Sequence, residues 1–441
     1  MLVRRKVAQL LADYYAQPAN QVVGSARHGT IHFSRLWGEW HYRRLVARLY
    51  KQQEGRWLTP VELMGPFYSQ TLGNFVAAAQ ATNRKSNSDN NTGAKFDVVE
   101  IGGGRATNAS VLLTHLQHSH PDVYQQLNSY TLIDASPTLL QLQEDTMKYT
   151  DHYPKMIFQL KNMIDVAEQK VPFLTPSKIP TVVLGCELLD NLPHDKVRIK
   201  SGKKLVIEQA EVVCSKQTQS SSSSNNSSSN SSSNAQQEQQ VGWREMFVPL
   251  KDPLLSKVLQ IAPKTYTGTS ATMSWIPSVA CGLLQRIHRQ RPNTTLLLAD
   301  FDCLPPPDVV ESTKEDAEAS NARRTSHWAA GEPIVTDMQG IDHVCYLQAP
   351  PNCDILFPTD FSKLASFVSK SWGISPPTNT TSATADRRQQ LQVNVLKQSD
   401  FLQLYGPEQV NATKSWLTGF SPMLHDFANC SVLTVTRRGS L

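Results

Sequence analysis

The sequence has little of what metal sites, disulfide frameworks and membrane spans require. Its seven cysteines are an odd number and include no Cys-x-x-Cys pair. Neither a zinc site nor a secreted disulfide framework is therefore expected, and we predict no bound metal. No apolar stretch reaches the roughly 18 residues of a membrane-spanning helix. A chain of 441 residues with 40% hydrophobic content can nevertheless bury a full core.

Acidic residues are scarce in the first 60 positions, which carry ten lysines and arginines against three aspartates and glutamates. Residues 1–15 are Arg-rich and amphipathic, which is typical of a targeting segment and also of an ordinary basic surface helix. Residues 33–50 interleave basic and aromatic side chains, as nucleic-acid-binding and membrane-surface segments do. The spacing of Trp37, Leu45 and Leu49 favours instead a helix that packs one face against the rest of the protein.

The most informative stretch is residues 96–107, FDVVEIGGGRAT. An apolar run of the kind found in buried parallel strands leads into three glycines, and residues 109–117 follow with the apolar spacing of a helix. A turn without side chains lets a ligand approach the backbone, and the helix behind it offers free N–H groups. This strand, turn and helix predict a nucleotide site.

The spacing within this turn selects the nucleotide. A dinucleotide fingerprint needs a third glycine where Thr107 stands. The pattern Glu100-x-Gly102-x-Gly104-x-Ala106 instead resembles motif I of class I S-adenosylmethionine (SAM) methyltransferases. That resemblance places the Glu100 carboxylate near the methionine amino group, with the glycines admitting the cofactor. The alternative is a purely structural turn in an unrelated α/β domain.

Two further apolar strands are followed by acids. Residues 130–134 end at Asp134, which we expect beside the cofactor ribose, with Ser136 at the start of the next helix; capping of that helix is the alternative role for Asp134. Residues 181–184 precede Glu187 and Asp190, which would share a face on a helical turn. We predict these two as catalytic carboxylates, the alternative being that they cap a helix after the fourth strand.

Further predictions concern residues at the edges of this site, near the adenine and the substrate. Asn162 or Met163 would lie near the adenine, after a third strand at residues 155–160. Asp300 and Asp302 follow another apolar strand, where substrate contact and capping of a proline turn are both open. No aromatic N/D-P-P-Y motif follows the fourth strand, so no nucleic-acid substrate is expected.

Three segments together are similar to the MidA-like methyltransferases: VVEIGGGRAT resembles ELGPGRGT, YTLIDASPTLLQLQ resembles LVExSPxLxxxQ, and GCELLDNLP resembles ANEFFDALP. Further similarity lies near Trp243 and Asp354. The chain departs from the family at Gly103, Ala106 and Cys186. It also lacks the family's proline and acid near Ser69, which indicates a divergent branch.

The resemblance implies a SAM-dependent enzyme. The family's mitochondrial members include an arginine methyltransferase that assists assembly of respiratory complex I. The implied acceptor is therefore a protein arginine of a complex I type partner, in the mitochondrial matrix, with SAM as cofactor. Glu187 and Asp190 would orient the guanidinium, with His194 as a third candidate. The alternative is a catalytically silent assembly factor that uses the fold to bind a partner.

We predict an α/β fold, a doubly wound Rossmann-like sheet with N-terminal helical and C-terminal additions. A helix at residues 66–79 would lid the cofactor, with Tyr68 and Ser69 as contacts. A serine-rich insertion would expand a hairpin turn between two alternating segments. The predicted regions are a basic helical region with the lid and a possible targeting segment (1–80), a disordered loop (81–95), the SAM-binding core (96–214), a disordered insertion (215–240), a continuation of the catalytic domain (241–375), and a linker with the C-terminal segment (376–441).

Overall fold

The computed structural model describes most of the chain. The described residues are 1–16, 31–52, 58–86, 95–200, 206–216, 241–267, 273–304, 331–337, 341–343, 345–350, 353–374 and 391–437. Residues 87–94 of the predicted loop at 81–95, residues 217–240 of the predicted insertion at 215–240, and residues 376–390 of the predicted linker lie outside these ranges.

The described residues form fourteen strands and fifteen α-helices. The strands are β1 (Phe96–Ile101), β2 (Leu127–Asp134), β3 (Met156–Leu160), β4 (Thr181–Cys186), β5 (Asp195–Lys200), β6 (Val206–Lys216), β7 (Val241–Pro249), β8 (Met273–Ile276), β9 (Thr294–Phe301), β10 (Ile334–Thr336), β11 (Asp342–His343), β12 (Asp354–Leu356), β13 (Leu391–Lys397) and β14 (Cys430–Arg437). The helices are α1 (Val3–Ala16), α2 (Glu39–Gln52), α3 (Pro60–Leu63), α4 (Phe67–Ser86), α5 (Thr107–Ser119), α6 (Pro121–Gln126), α7 (Pro137–Met147), α8 (Met163–Ala167), α9 (Pro253–Ile261), α10 (Pro263–Thr267), α11 (Ser278–Gln290), α12 (Phe361–Ser371), α13 (Gln398–Tyr405), α14 (Pro407–Ala412) and α15 (Pro422–His425).

Seven strands form the central sheet in the order β13-β14-β9-β4-β1-β2-β3. Strands β3, β2, β1, β4 and β9 are parallel, and β14 runs antiparallel to both β9 and β13. The chain order reverses between β1 and β4, and ligands of doubly wound sheets bind at such a switch point, beyond the carboxyl ends of the strands. The predicted α/β fold is confirmed.

Both faces of the sheet are covered, which is why its strands are apolar throughout. Successive residues of β1 point to opposite faces, so Val98 packs with α4, α5 and α13 while Val99 packs with α8, α9, α11 and α12. All six residues of β1 are buried. The sheet is thus held rigidly between two helical layers, which fixes the positions of its carboxyl ends.

Two smaller sheets flank the central one. Strands β7, β6, β5 and β8 form an antiparallel sheet, in which β6 and β7 pair directly across the serine-rich insertion, as the alternating pattern predicts. Strands β11, β10 and β12 form a three-stranded sheet. Helix α1 packs beside both, and the backbone of Met1 pairs with Val212 of β6.

Helix α1 is built into the core. The guanidinium of Arg4 is 2% exposed. It donates to Asp195 Oδ2 at 2.6 Å and to Asp252 Oδ2 at 2.8 Å, and it pairs with Glu168 at 3.0 Å. The basic character of this segment therefore supplies a buried ion cluster that joins α1 to β5 and to the residues beside α8 and α9. Neither sequence-based interpretation of residues 1–15, as a targeting segment or as a basic surface helix, predicts this buried ion cluster.

Other details correct the sequence-based expectations. No helix follows β4, because the chain turns directly into β5. Helix α4 continues to Ser86, so the predicted loop begins later, and Ser69 is buried in this core helix instead of contacting the cavity as part of a lid. Trp37 is exposed, although it was expected on the packed face. Within the described ranges, no helix has the length and apolar character needed to cross a membrane.

Candidate functional site

A cavity of about 1400 Å³ opens beyond the carboxyl ends of the parallel strands. Its floor is formed by the ends of β1, β2, β4 and β9. Its walls come from α1, the start of α4 and the three-stranded sheet. The cavity therefore lies where the topology of the sheet places a ligand site.

The glycine turn after β1 forms one side of this cavity. Gly102 and Gly104 have φ values of 73° and 53°, a conformation that favours glycine. Glu100, at the end of β1, is buried and accepts hydrogen bonds from Asn108 Nδ2 at 2.8 Å and Tyr130 Oη at 2.7 Å. Burial raises the pKa of Glu100, although these two hydrogen bonds oppose the rise. The turn and its carboxylate line the cavity as predicted.

Asp134 lies at the end of β2, next to the turn. Its Oδ1 accepts from the Ser136 N–H at 2.9 Å, and its Oδ2 accepts from Gln143 Nε2, also at 2.9 Å. The same Gln143 nitrogen donates to the carbonyl oxygen of Gly104 at 3.1 Å. Ser136 caps α7 by accepting from the Leu139 N–H. Asp134 and Ser136 both line the cavity, so local turn-forming and ligand-facing roles coexist.

Asn162 and Met163 line the cavity beyond β3. Asn162 caps α8, with its Oδ1 accepting from the Ile164 N–H at 2.9 Å. Met163 is buried and offers an apolar surface of the kind a flat heterocycle needs. The structure therefore places Asn162 and Met163, the two residues predicted to lie near the adenine, at the cavity wall.

Glu187 and Asp190 lie in the turn between β4 and β5. Glu187 has a φ of 51°, and its N–H donates to the Ala299 carbonyl at 2.9 Å. The left-handed backbone conformation of Glu187 ends β4 and begins the turn that leads to β5. Asp190 is 4% exposed, and its Oδ1 has no hydrogen-bond partner among the described residues. Because no helix follows β4, the helix-capping alternative for these acids is excluded.

Asp300, at the end of β9, holds this turn in place. Its Oδ2 accepts from the N–H groups of Leu189 at 2.6 Å and Asp190 at 3.2 Å, and its Oδ1 accepts from the N–H of Phe301 at 2.7 Å. Asp302 lies outside the cavity and accepts from Ser431 and Lys397. Asp300 therefore positions the candidate catalytic segment, whereas the proline turn of the capping alternative, residues 305–307, lies outside the described residues.

Asp354 and Tyr15 complete the acidic side of the cavity, and neither was predicted from sequence as a site residue. Asp354 is the buried first residue of β12. Tyr15 of α1 donates a hydrogen bond to Asn191 Oδ1. Both line the cavity. The similarity around Asp354 was a signal for this position, whereas Tyr15 reaches the site only through the packing of α1.

The four carboxyl groups of this cluster have raised pKa values. Burial and the charge of Asp300 raise the pKa of Glu187 to about 8. Burial raises the pKa of Asp354 to about 7 and that of Asp300 to about 6. Burial, followed by the charges of its three acidic neighbours, raises the pKa of Asp190 well above its usual value. The cluster would therefore be stabilised by a cationic ligand.

Two predicted contacts are placed differently. His194 lines a separate cavity of about 380 Å³, where its ring stacks on Phe357 with centroids 4.1 Å apart. Burial lowers the pKa of His194 to about 3, so the ring is neutral. Tyr68 lines the main cavity and its hydroxyl donates to Gln398 Oε1 at 3.3 Å, whereas Ser69 does not line it. His194 is therefore no longer a candidate catalytic group.

The sheet order and the cavity at its switch point define a class I methyltransferase fold. A family model described as "Putative S-adenosyl-L-methionine-dependent methyltransferase" matches residues 74–378. This is more than half of the chain, and the protein belongs to this family. A search of curated proteins found no match.

Two solved structures from Burkholderia thailandensis share the fold. One is described as a "likely methyl transferase" bound to S-adenosyl-homocysteine; it has 15% identity, a TM-score of 0.56, and coverage of 99% of this chain and 88% of its own. The other is an uncharacterized protein of the same superfamily; it has 18% identity, a TM-score of 0.52, and coverage of 99% and 93%.

The residues present fit the SAM cofactor of this family. A nucleoside needs an acceptor for ribose hydroxyls, an apolar wall for its base and a close backbone approach. Asp134, Met163 and the turn at Gly102 supply these in one continuous wall of the cavity. A side chain at Gly104 would have to adopt a left-handed backbone in the same turn. These residues would hold the cofactor, and the acidic cluster would remain free for the methyl acceptor.

Proposed function

We propose that this protein transfers a methyl group from SAM to a guanidinium nitrogen of a protein arginine. The observation that carries the proposal is the buried carboxyl cluster of Glu187, Asp190 and Asp354, which lines the same cavity as Gly104 and Asp134. Four acidic groups, with Asp300 included, repel each other in a site of low polarity. A planar cation with several N–H donors relieves that repulsion and pairs with more than one carboxylate.

The unpartnered oxygen of Asp190 supports a ligand with hydrogen-bond donors. A buried carboxylate oxygen without a donor costs free energy, and it is seldom left so in a folded protein. The guanidinium has five N–H donors and no acceptor, so it matches such a cluster better than a hydroxyl or thiol would. A lysine ammonium also carries donors, but it lacks the planar fork that two carboxylates bind together.

In this proposal the chain's residues orient the acceptor and take its proton. SAM, when bound, supplies an activated methyl group on a positively charged sulfur. Glu187 and Asp190 hold the guanidinium with one nitrogen facing the cofactor side of the cavity. A guanidinium has a pKa above about 12, so a base must accept the proton released on methylation. Glu187, with a pKa raised to about 8, is matched to that task near neutral pH.

The partner and the compartment are proposed from the resemblance to MidA-like methyltransferases. The acceptor would be a subunit of respiratory complex I, and the protein would act in the mitochondrial matrix. The motifs that carry this resemblance include Glu100, Asp134 and Glu187, and all three residues line the cavity. The departure at Cys186, a thiol that also lines the cavity, is compatible with an altered acceptor.

The test is methyl transfer from labelled SAM to complex I subunits and to arginine peptides, with matched lysine peptides as acceptor control. We expect label on arginine only. Glu187→Gln and Asp190→Asn should each lower turnover by about a hundredfold or more while SAM binding stays within about threefold. Glu408→Gln, an exposed acid far along the chain, is the matched control and should leave turnover unchanged.

Calorimetric SAM titration separates the two parts of the proposal. Gly104→Asp, which places a negative side chain in the left-handed turn, should abolish SAM binding. If SAM binds but no arginine is labelled, the arginine assignment fails and a partner-binding assembly role becomes the better account. If SAM does not bind at millimolar concentration, the enzymatic proposal itself fails.

A further inference from the structure

Three tryptophans lie on the surface of the N-terminal and C-terminal additions. Trp37, Trp40 and Trp416 are 57%, 65% and 67% exposed, and Leu417 beside the last is 62% exposed. Side chains of this size are rarely left in water together, and an exposed apolar patch generally marks a binding surface. None of these residues lines the cavity, so the proposed methyl transfer does not account for them.

The two segments that carry these side chains are in contact. A Cβ atom added at Gly38 would lie 3.0 Å from Thr418 Oγ1. The rings of Tyr42 and Phe420 lie with centroids 5.8 Å apart. The start of α2 and the loop at residues 415–420 therefore form one continuous surface. We call Trp37, Trp40, Trp416 and Leu417 the tryptophan surface.

The exposed side of α2 extends this surface with positive charge. Tyr42 and Leu49 are buried against the core, whereas four basic side chains of the helix are exposed. They are Arg43, Arg44, Arg48 and Lys51. Glu39 is the single acid of the helix, and it pairs with Arg43 at 2.7 Å. Helix α2 is thus amphipathic: its apolar face is buried, and its exposed face is strongly basic.

We propose that the tryptophan surface and the basic face of α2 dock on an anionic membrane surface. Basic side chains attract acidic lipid headgroups, and tryptophan rings settle at the boundary between headgroups and acyl chains. The guanidinium of Arg44 already lies 5.6 Å from the ring centroid of Trp40, so charge and aromatic surface are presented together. The contact is peripheral, and it would bring the enzyme to membrane-bound acceptors.

A single-stranded nucleic acid is the other anionic partner of basic and aromatic surfaces. Its bases stack on aromatic rings, and an aliphatic side chain offers no ring to stack on. Leu417 is nearly as exposed as Trp416, which precedes it. A lipid interface buries leucine and tryptophan alike, so the membrane accounts for the whole surface.

The test is flotation of the purified full-length protein with vesicles. Two compositions are compared: phosphatidylcholine alone, and phosphatidylcholine with about 30% phosphatidylglycerol. We expect binding to the anionic vesicles, weakened by about tenfold or more in Arg44→Glu/Arg48→Glu and in Trp40→Ala/Trp416→Ala. Tryptophan fluorescence of the wild type should shift to shorter wavelength with anionic vesicles only.

The matched control replaces an exposed aromatic and basic pair elsewhere. Lys148 lies 5.7 Å from the ring centroid of Tyr149, which is 88% exposed, and both residues directly follow α7. Lys148→Glu/Tyr149→Ala should float like the wild type. All substituted residues are exposed, so we expect the fold to be kept, and circular dichroism and SAM titration of each variant check this.

Two flotation results overturn the proposal: an equal loss of vesicle binding in the control and surface variants, or no flotation of the wild type with anionic vesicles. Oligonucleotide binding lost in the surface variants, without flotation, would assign the surface to nucleic acid and also overturn it.

Discussion

Gln143 donates one hydrogen bond of 2.9 Å to Asp134 and a second of 3.1 Å to the carbonyl of Gly104. A single buried amide thus joins the carboxylate after β2 to the glycine turn after β1. Both elements line the side of the cavity proposed to hold SAM, so their relative position depends on a buried side chain that does not itself line the cavity. We regard Gln143 as a positioning residue.

The first prediction is that Gln143→Ala weakens SAM binding by about tenfold. The substitution leaves Asp134 Oδ2 and the Gly104 carbonyl without their shared donor, so both can move from the geometry the cofactor needs. Calorimetric titration measures the change. Gln141→Ala on the exposed side of the same helix is the control and should bind SAM like the wild type. Equal affinities for the two variants would show that the bridge has no positioning role.

The second prediction concerns the turn that carries Glu187 and Asp190. Asp300→Ala removes the acceptor for the N–H groups of Leu189 and Asp190 and should destabilise the protein by about 3 kcal/mol. Turnover should fall more than SAM affinity, because the cofactor wall is left intact. Asp302→Ala, two residues further on and outside the cavity, should cost about 1 kcal/mol or less.

Urea unfolding and SAM titration of both variants check this prediction. The pH profile of turnover gives a further test, since loss of the Asp300 charge lowers the pKa of Glu187. The acidic limb of that profile should therefore move to lower pH in Asp300→Ala. An unmoved profile would mean that Asp300 and Glu187 are not electrostatically linked.

The sequence was most informative where structure is decided locally. Strand β1 and its glycine turn follow from four apolar residues within six positions and a run of glycines. The acid after β2 follows from the same kind of pattern. These features need no knowledge of distant partners, and the similarity to a known family concerns the same segments. The fold, and the position of the glycine turn and Asp134 at the cavity, were therefore predictable.

The acceptor side was only partly predictable, because it depends on contacts between distant parts of the chain. The LLDN segment after Glu187 has helical spacing, but the N–H groups of Leu189 and Asp190 are bound by Asp300, 111 and 110 residues away. Tyr15 reaches the site because Arg4 anchors α1, again through distant acids. Periodicity and spacing carry no signal for such pairings.

The third prediction is a pH dependence of stability with a defined sign. The pKa of Glu187 is raised from 4.5 to about 8, mainly by burial. Between these values the unfolded chain has lost the proton and the folded protein keeps it, so the folded state binds more protons and stability falls as pH rises. The melting temperature of the ligand-free protein should decrease from about pH 5 to about pH 8.

Glu187→Gln removes this titration and should flatten the decrease, most visibly at the alkaline end. Scanning calorimetry of wild type and variant over the same pH series measures it. Glu408→Gln is the control and should follow the wild-type curve, because Glu408 is exposed. A wild-type melting temperature that rises over this window would contradict the assigned burial of the Glu187 carboxyl.

The fourth prediction concerns the anchor of α1. Arg4→Met leaves Asp195 and Asp252 without their common cation inside the protein, and a broken buried ion pair costs about 3 to 5 kcal/mol. The neighbouring Arg5 is more exposed and contacts only Glu168 among these acids, so Arg5→Met should cost about 1 kcal/mol or less. Urea unfolding of the two variants makes the comparison. Because α1 also carries Tyr15, any Arg4→Met protein that remains folded should bind the arginine peptide more weakly while SAM affinity is kept. Matching small losses in both variants would mean that the cluster around Arg4 does not anchor the helix.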